Sequence, residues 1–285
     1  SRARIRFPCF PPDRTPLTMF RTAQFITGKF ATKKVFLEDK TYGLALDALT
    51  KACSDILVVS PKGDKVLLGK RKVHPQPDWW LIGGRSRPGQ SPQLAASANV
   101  NRELKINAAP SRFEVVGNYN LVWQFRQQEP KSNGTADIST VHALTLTEEE
   151  FKVSQQSMFE KAEYEEVKWT PITTVLEGDF SPALKQFVHD LCSLRKFRSL
   201  EKATNESQSD KDIAALARDL IKWHGSAPSS GSAVTHVDFD EATRKYTSRH
   251  AKLDPDDVDA SAAKPAAAGP PGEDAKQKKK KSKQP

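Results

Sequence analysis

From Asp55 to Ser60 the chain reads Asp-Ile-Leu-Val-Val-Ser, a β-branched run that predicts a buried strand. Pro61-Lys62-Gly63-Asp64 predicts a turn, and Val66-Leu67-Leu68 the returning strand of a hairpin. Gly69-Lys70-Arg71-Lys72 leaves that hairpin, and a loop with Pro75 and Pro77 delivers Trp79-Trp80-Leu81-Ile82, a strand stopped by Gly83-Gly84. Strand alternation sends at least one of the two tryptophans into the core, and either ring has the shape to stack on a base. A polar loop holding Arg85, Arg87 and Gly89 then meets a helix, with Ser91 as its hydroxyl cap and Pro92 at the first helical position. The helix is expected to run to Ile106 or to end on Asn107. Its apolar residues Leu94, Ala95, Ala98, Val100 and Leu104 keep helical spacing only loosely, as when part of one face lines a site.

Pro110 stops the helix, and two strands are predicted over Phe113–Gly117 and Tyr119–Phe125. The polar stretch Arg126 to Asp137 reads as a loop, Ile138 to Thr145 as a strand and Glu166 to Trp169 as a shorter one. Leu184, Phe187, Val188, Leu191 and Leu194 recur at helical spacing and predict a helix over Ser181 to Leu194. Upstream, Thr41 to Cys53 predicts a short helix leading into this core. Strands mixed with helices, without strict alternation, predict an α/β fold with a mixed sheet between helices.

Outside the core the pattern weakens. Residues 1–51 form a basic extension in which Met19 to Leu37 carries Arg21, Lys29, Lys33 and Lys34 and no acid, a composition compatible with an organellar transit peptide or with a plain basic strand and loop. Ser1 in first place suits a processed chain, a tagged one or a fragment. Residues 196–285 hold a short amphipathic helix near 211–223, a Ser/Gly/Pro linker from Gly225 to Ser232, and an Asp/Ala/Pro-rich stretch ending in Lys278-Lys279-Lys280-Lys281. Between them, 52–195 is the folded domain.

Charge changes the list of partners. With 44 Lys and Arg against 35 Asp and Glu, the 285-residue chain carries +9, which favours phosphate ligands, RNA or a ribonucleoprotein met through the basic tails, or an anionic surface. Three scattered cysteines support neither a disulfide framework nor a zinc site and predict an intracellular protein, with mitochondrion, cytoplasm and nucleus all open. No apolar run is long enough for a transmembrane segment.

The order of parts, with "VLLGKRK", "WWLIGGRSRPGQS" and "EEVKWTPITTVL", resembles the Nudix hydrolase superfamily over about residues 52–195. The resemblance implies an α/β/α sandwich. It also implies Mg²⁺- or Mn²⁺-dependent hydrolysis of a nucleoside diphosphate linked to another group. The catalytic signature of that family is G-x5-E-x7-R-E-U-x-E-E-x-G-U, with U an apolar aliphatic. Laid on from Gly84, it places Gln90 at the first Glu, Ala98 at the Arg and Asn99 at the next Glu. Arg102-Glu103 falls on the Glu pair and Lys105 on the Gly, while Gly84, Val100, Glu103 and Ile106 match. A register shifted by four residues fares no better.

Those departures bear on chemistry. Mg²⁺ takes nearly octahedral oxygen ligands anchored by carboxylates. Positions four apart share a helix face, so Asn99 and Glu103 are the weak metal-ligand candidates and Glu103 is the catalytic candidate if the protein is active. Arg71, Trp80, Gly83, Gly84, Arg85 and Arg102 are the nucleotide- and phosphate-binding candidates. Arg suits the role because its planar fork binds phosphate bidentately; the plainer reading makes these solvated surface cations. Glu148-Glu149-Glu150, in a predicted loop, and Glu163, Glu165 and Glu166 read as solvated charge runs. The leading expectation is a pseudoenzyme-like module that recognises a nucleotide or diphosphate group, with hydrolysis lost or weakened. The alternative is an active pyrophosphohydrolase with divergent ligands, using Mg or Mn.

Overall fold

Strand β1 (Lys51–Val59) is the axis of a seven-stranded mixed sheet, and its alternation assigns the two layers that cover it. The computed structural model describes residues 22–30, 35–155, 162–229 and 234–251. On one face Ile56 and Val58 pack with Val100 and Leu104 of helix α2 (Pro92–Leu104); on the other Leu57 and Val59 pack with Phe187, Val188 and Leu191 of α5 (Pro182–Asn205). That double burial explains the unbroken apolar run, because neither face meets water.

β1 runs parallel to β6 (Thr135–Thr145) and antiparallel to β2 (Lys65–Arg71) and β4 (Ile82–Arg85). β3 (Trp79–Trp80) and β7 (Tyr164–Pro171) pair with β2, and β5 (Glu114–Trp123) closes the sheet beyond β6. The two strands expected on either side of Gly117 are one strand whose register shifts between Val115 and Gly117. A β-bulge absorbs the irregularity that reads as a turn in sequence. The segment with Glu148-Glu149-Glu150 is not a loop but helix α3 (Glu148–Gln155), with its acids in the first turn, where the helix dipole favours them.

Two ends of helices differ from expectation. α2 stops at Leu104, because Lys105 itself adopts the left-handed conformation at φ 59° and its ammonium donates to the Arg102 carbonyl at 2.8 Å. α5 continues to Asn205 and turns back into α6 (Asp210–His224), where the Trp223 ring stacks on His189 at 4.7 Å and donates to its carbonyl at 3.0 Å. Helix α1 (Asp39–Ala48) and the six-residue α4 (Ile172–Glu177) complete the α-helices in the described residues.

Beyond Gly225–Ser232, only part of which is described, the chain forms a hairpin, β8 (Val234–Asp240) and β9 (Lys245–Ala251), that alternation in the sequence did not announce. It is anchored at one place. The Tyr246 hydroxyl donates to Asp78 Oδ2 at 2.7 Å and accepts from Gln76 Nε2 at 2.7 Å, and Arg244 reaches the Pro77 carbonyl. Tyr246→Phe leaves the buried Asp78 without this donor and should cost about 1–2 kcal/mol of hairpin docking. Faster amide exchange across 234–251, with the main sheet unchanged, is the expected readout. Unchanged exchange would show that Arg244 alone suffices.

Candidate functional site

Gly83 and Gly84, expected to stop their strand as a turn, instead lie inside β4 and stay paired with β1, and α2 packs against both strands here. Register places Gly83 opposite Asp55 and Gly84 opposite Ser54. A Cβ on Gly83 would lie 2.1 Å from Asp55 Oδ1, so this position accepts no side chain while the strands stay paired. Gly84 adopts φ 154°, a region that L side chains rarely enter.

Asn99 projects from α2 into this junction and is almost fully buried. Its Nδ2 donates to the Ser54 carbonyl at 3.0 Å and the Gly84 carbonyl at 3.2 Å, so the amide links both strands to the helix. Two carbonyls on one side fix the orientation of the amide, with Oδ1 turned toward Arg102. Arg102 Nη1 donates to that oxygen at 2.9 Å, Nη2 to the Gly83 carbonyl at 3.0 Å, and Nε to Glu103 Oε1 at 2.9 Å. All three nitrogens of the guanidinium are thus engaged by the protein. Leu94 and Ala98, expected on the apolar stripe, are exposed; Ala96 and Asn99 join Ala95, Val100 and Leu104 on the inner face. Gln90 accepts from the Arg87 amide at 2.9 Å and holds the loop before the helix.

On the other side of the two glycines lies a cavity of about 210 Å³. That is space for roughly seven waters at about 30 Å³ each, or for one flat ring system. Arg71, Trp80, Gly83, Gly84 and Arg85 all line it, whereas Asn99, Arg102 and Glu103 lie outside its walls. The candidates therefore fall into two clusters divided by the glycines. Arg71 pairs with Glu163 at 3.0 Å, and Arg85 lies 5.0 Å from the centre of the Tyr42 ring. Trp80 is buried, with edge contacts to Trp123 at 5.4 Å and Phe187 at 5.6 Å, while Trp79 carries the Lys168 ammonium at 4.1 Å.

Sequence reasoning missed most of the floor. Asp55 sits there, and burial raises its carboxyl to about 6, against the hydrogen bond that Ser139 donates at 2.5 Å. Asp137 accepts from the Trp123 indole at 2.9 Å and pairs with Lys51 at 2.9 Å. Arg126, 1% exposed, closes one end by donating to Asp47 at 2.6 Å and to the Gly134 carbonyl at 3.2 Å. A charged residue opening an otherwise apolar strand was the available signal for Asp55. Arg126 gave none, because its partners come from α1 and a loop. Burial raises the Tyr164 phenol above its ordinary value, and the charges of Glu103 and Glu163 push the same way.

Two of the other acids are engaged elsewhere. Glu150 holds Arg112 at 2.5 and 2.8 Å, and Glu165 meets Lys70 at 3.1 Å. Among the described residues, no three His, Cys, Asp or Glu side chains converge as metal ligands. At the helix face the one carboxylate, Glu103, already neutralises Arg102. A hard divalent cation needs several oxygens free of competing positive charge, and a guanidinium within contact opposes it. These residues do not fit Mg²⁺ or Mn²⁺.

The NUDIX domain family matches residues 50–191. Similar solved structures include a MutT protein from Methanosarcina mazei Go1, 18% identical over 49% of this chain and 90% of that one, with a TM-score of 0.38. The dihydroneopterin triphosphate pyrophosphohydrolase of E. coli is 16% identical over 50% of this chain and 95% of its own, at 0.37. The Ap4A hydrolase of C. elegans is 11% identical over 51% and 98%, at 0.35. No curated protein matches the sequence.

Proposed function

For a chain that belongs to the Nudix superfamily through residues 50–191, we propose recognition of a nucleotide or other diphosphate-bearing group, with metal-dependent hydrolysis lost or weakened. The observation that carries this reading is the helix face beside the β4 glycines, where Asn99 and an Arg102-paired Glu103 stand in place of a carboxylate set. Hydrolysis in this superfamily generally uses Mg²⁺ or Mn²⁺ to neutralise the phosphates, and this face offers such an ion too few oxygens. The neighbouring cavity keeps what recognition needs. Trp80, Trp123 and Tyr42 supply flat apolar surface, Arg71 and Arg85 supply positive charge, and Asp55 supplies a buried acceptor.

The basic segments extend the proposal to RNA as one form of the ligand; Arg2 to Arg14 and Lys278 to Lys281 lie outside the described residues. An intracellular site of action belongs to the same proposal, on the sparse cysteines alone.

The test uses the purified full chain with nucleoside triphosphates, NADH, ADP-ribose, nucleotide sugars and capped RNA. Product release is followed with Mg²⁺ and with Mn²⁺, and binding is measured in a chelator. Binding retained in chelator without turnover is the expected result. Turnover that Glu103→Gln abolishes would overturn it and favour the active pyrophosphohydrolase.

A further inference from the structure

Three oxygens of different chemistry converge beside the paired glycines of β4: the Gly83 carbonyl, the Asn99 amide oxygen and the Glu103 carboxylate. They come from β4 and α2, and one positive group joins all three. We propose that the Arg102 guanidinium is a tethered cation standing where a divalent ion would otherwise join this strand to the helix, and that replacing it uncovers a divalent-cation site.

The geometry supports substitution by charge rather than a chance surface pair. Each of the three guanidinium nitrogens has a separate protein acceptor between 2.9 and 3.0 Å, so every nitrogen of the planar fork meets a protein oxygen. The group is also tucked against backbone, since a Cβ on Gly84 would lie 3.2 Å from Nη2. Arg102 lies in the last turn of α2, where the helix dipole favours positive charge. Its three acceptors are the hard oxygen types that Mg²⁺ and Mn²⁺ take: carbonyl, amide and carboxylate. The guanidinium cannot lose its proton to admit such an ion. Arg102 thus keeps β4 and the helix joined at any metal concentration, and the protein has no need of the ion to hold this junction.

The inference stands on the junction alone, and metal is the only probe required. Mn²⁺ is titrated into the full-length chain and into Arg102→Ala, Arg102→Glu and Arg102→Lys, following the signal of the free ion by electron paramagnetic resonance. Circular dichroism checks that each variant is folded, which the 56% exposure of the Arg102 side chain favours. Arg102→Glu, which removes the cation and adds a carboxylate, should bind Mn²⁺ at least about tenfold tighter than the parent. Arg102→Ala should fall between them, and Arg102→Lys, which keeps the charge, should match the parent. Parent binding as tight as that of Arg102→Glu would overturn the inference. So would folded Ala and Glu variants that both ignore the ion. Neither result touches ligand recognition in the cavity, which the chelator experiment tests separately.

Discussion

Gly83→Ala should destabilise the domain by about 4 kcal/mol and lower its melting temperature by on the order of 10 °C. The added methyl would meet Asp55 Oδ1 at 2.1 Å, Asp55 Cα at 2.7 Å and the Ser54 carbonyl at 2.8 Å. Two of those atoms are backbone of the central strand, so no rotamer change relieves the contact. Either β4 moves off β1 or β1 bends. Both movements pull on the Asn99 bridge, whose amide holds Ser54 and Gly84 together, and on the Arg102 contact with the Gly83 carbonyl. The loss is therefore cooperative across the junction. A thermal melt decides the matter: a midpoint within a degree or two of the parent would mean that the strands are not so closely apposed.

The second large effect is a pH dependence that cancels in the parent and appears in a variant. Burial raises Asp55 to about 6 from 3.8 and lowers His142 to about 4 from 6.5. For Asp55 the folded state binds the extra proton between 3.8 and 6, so its contribution to stability falls as pH rises through that window. For His142 the unfolded state binds the extra proton between 4 and 6.5, so its contribution rises with pH. At about 1.4 kcal/mol per unit, each slope amounts to about 3 kcal/mol, and the two oppose each other over nearly the same range. Asp55→Asn keeps an acceptor for Ser139 and removes one slope. The variant should gain about 3 kcal/mol of unfolding free energy between pH 4 and pH 6.5 relative to the parent. Urea unfolding at four or five pH values measures the difference, in which the carboxylates common to both proteins drop out. Parallel profiles would rule out a buried, proton-binding Asp55.

The layers of the fold were legible because local chemistry and global packing agree in them. The Ile56–Val59 run, the Ser91-Pro92 start of α2 and the Leu184–Leu194 spacing each say one thing, and packing repeats it. Disagreement came where a long-range contact overrides a local signal. Asn99 is polar and lies on the buried face because two strand carbonyls await it. Lys105 stands in a left-handed position that favours glycine, and its ammonium returns to the helix end. The β8–β9 hairpin carries mostly exposed residues, so no alternation marked it; its anchor is Tyr246 on Asp78 and Gln76, with Arg244 on the Pro77 carbonyl. For the site, the cations and glycines could be read from their place after a strand. The acids beneath them could not, since Asp55 and Asp137 become neighbours of the cavity only when β1 and β6 run side by side.

The anchor at Asp78 also sets an order in time. Its tyrosine partner lies 168 residues further along the chain, long after every strand of the main sheet. Chains fold from the N-terminus as they are made, so the sheet and its cavity can assemble while Asp78 still faces water. The loop that carries it begins at His74 and Pro75, which line the cavity. Its last fastening arrives only with the hairpin, so the loop that supplies His74 and Pro75 to the cavity wall is secured after the sheet is complete. A nascent chain halted before Tyr246 would carry the finished sheet with that stretch of wall not yet fastened.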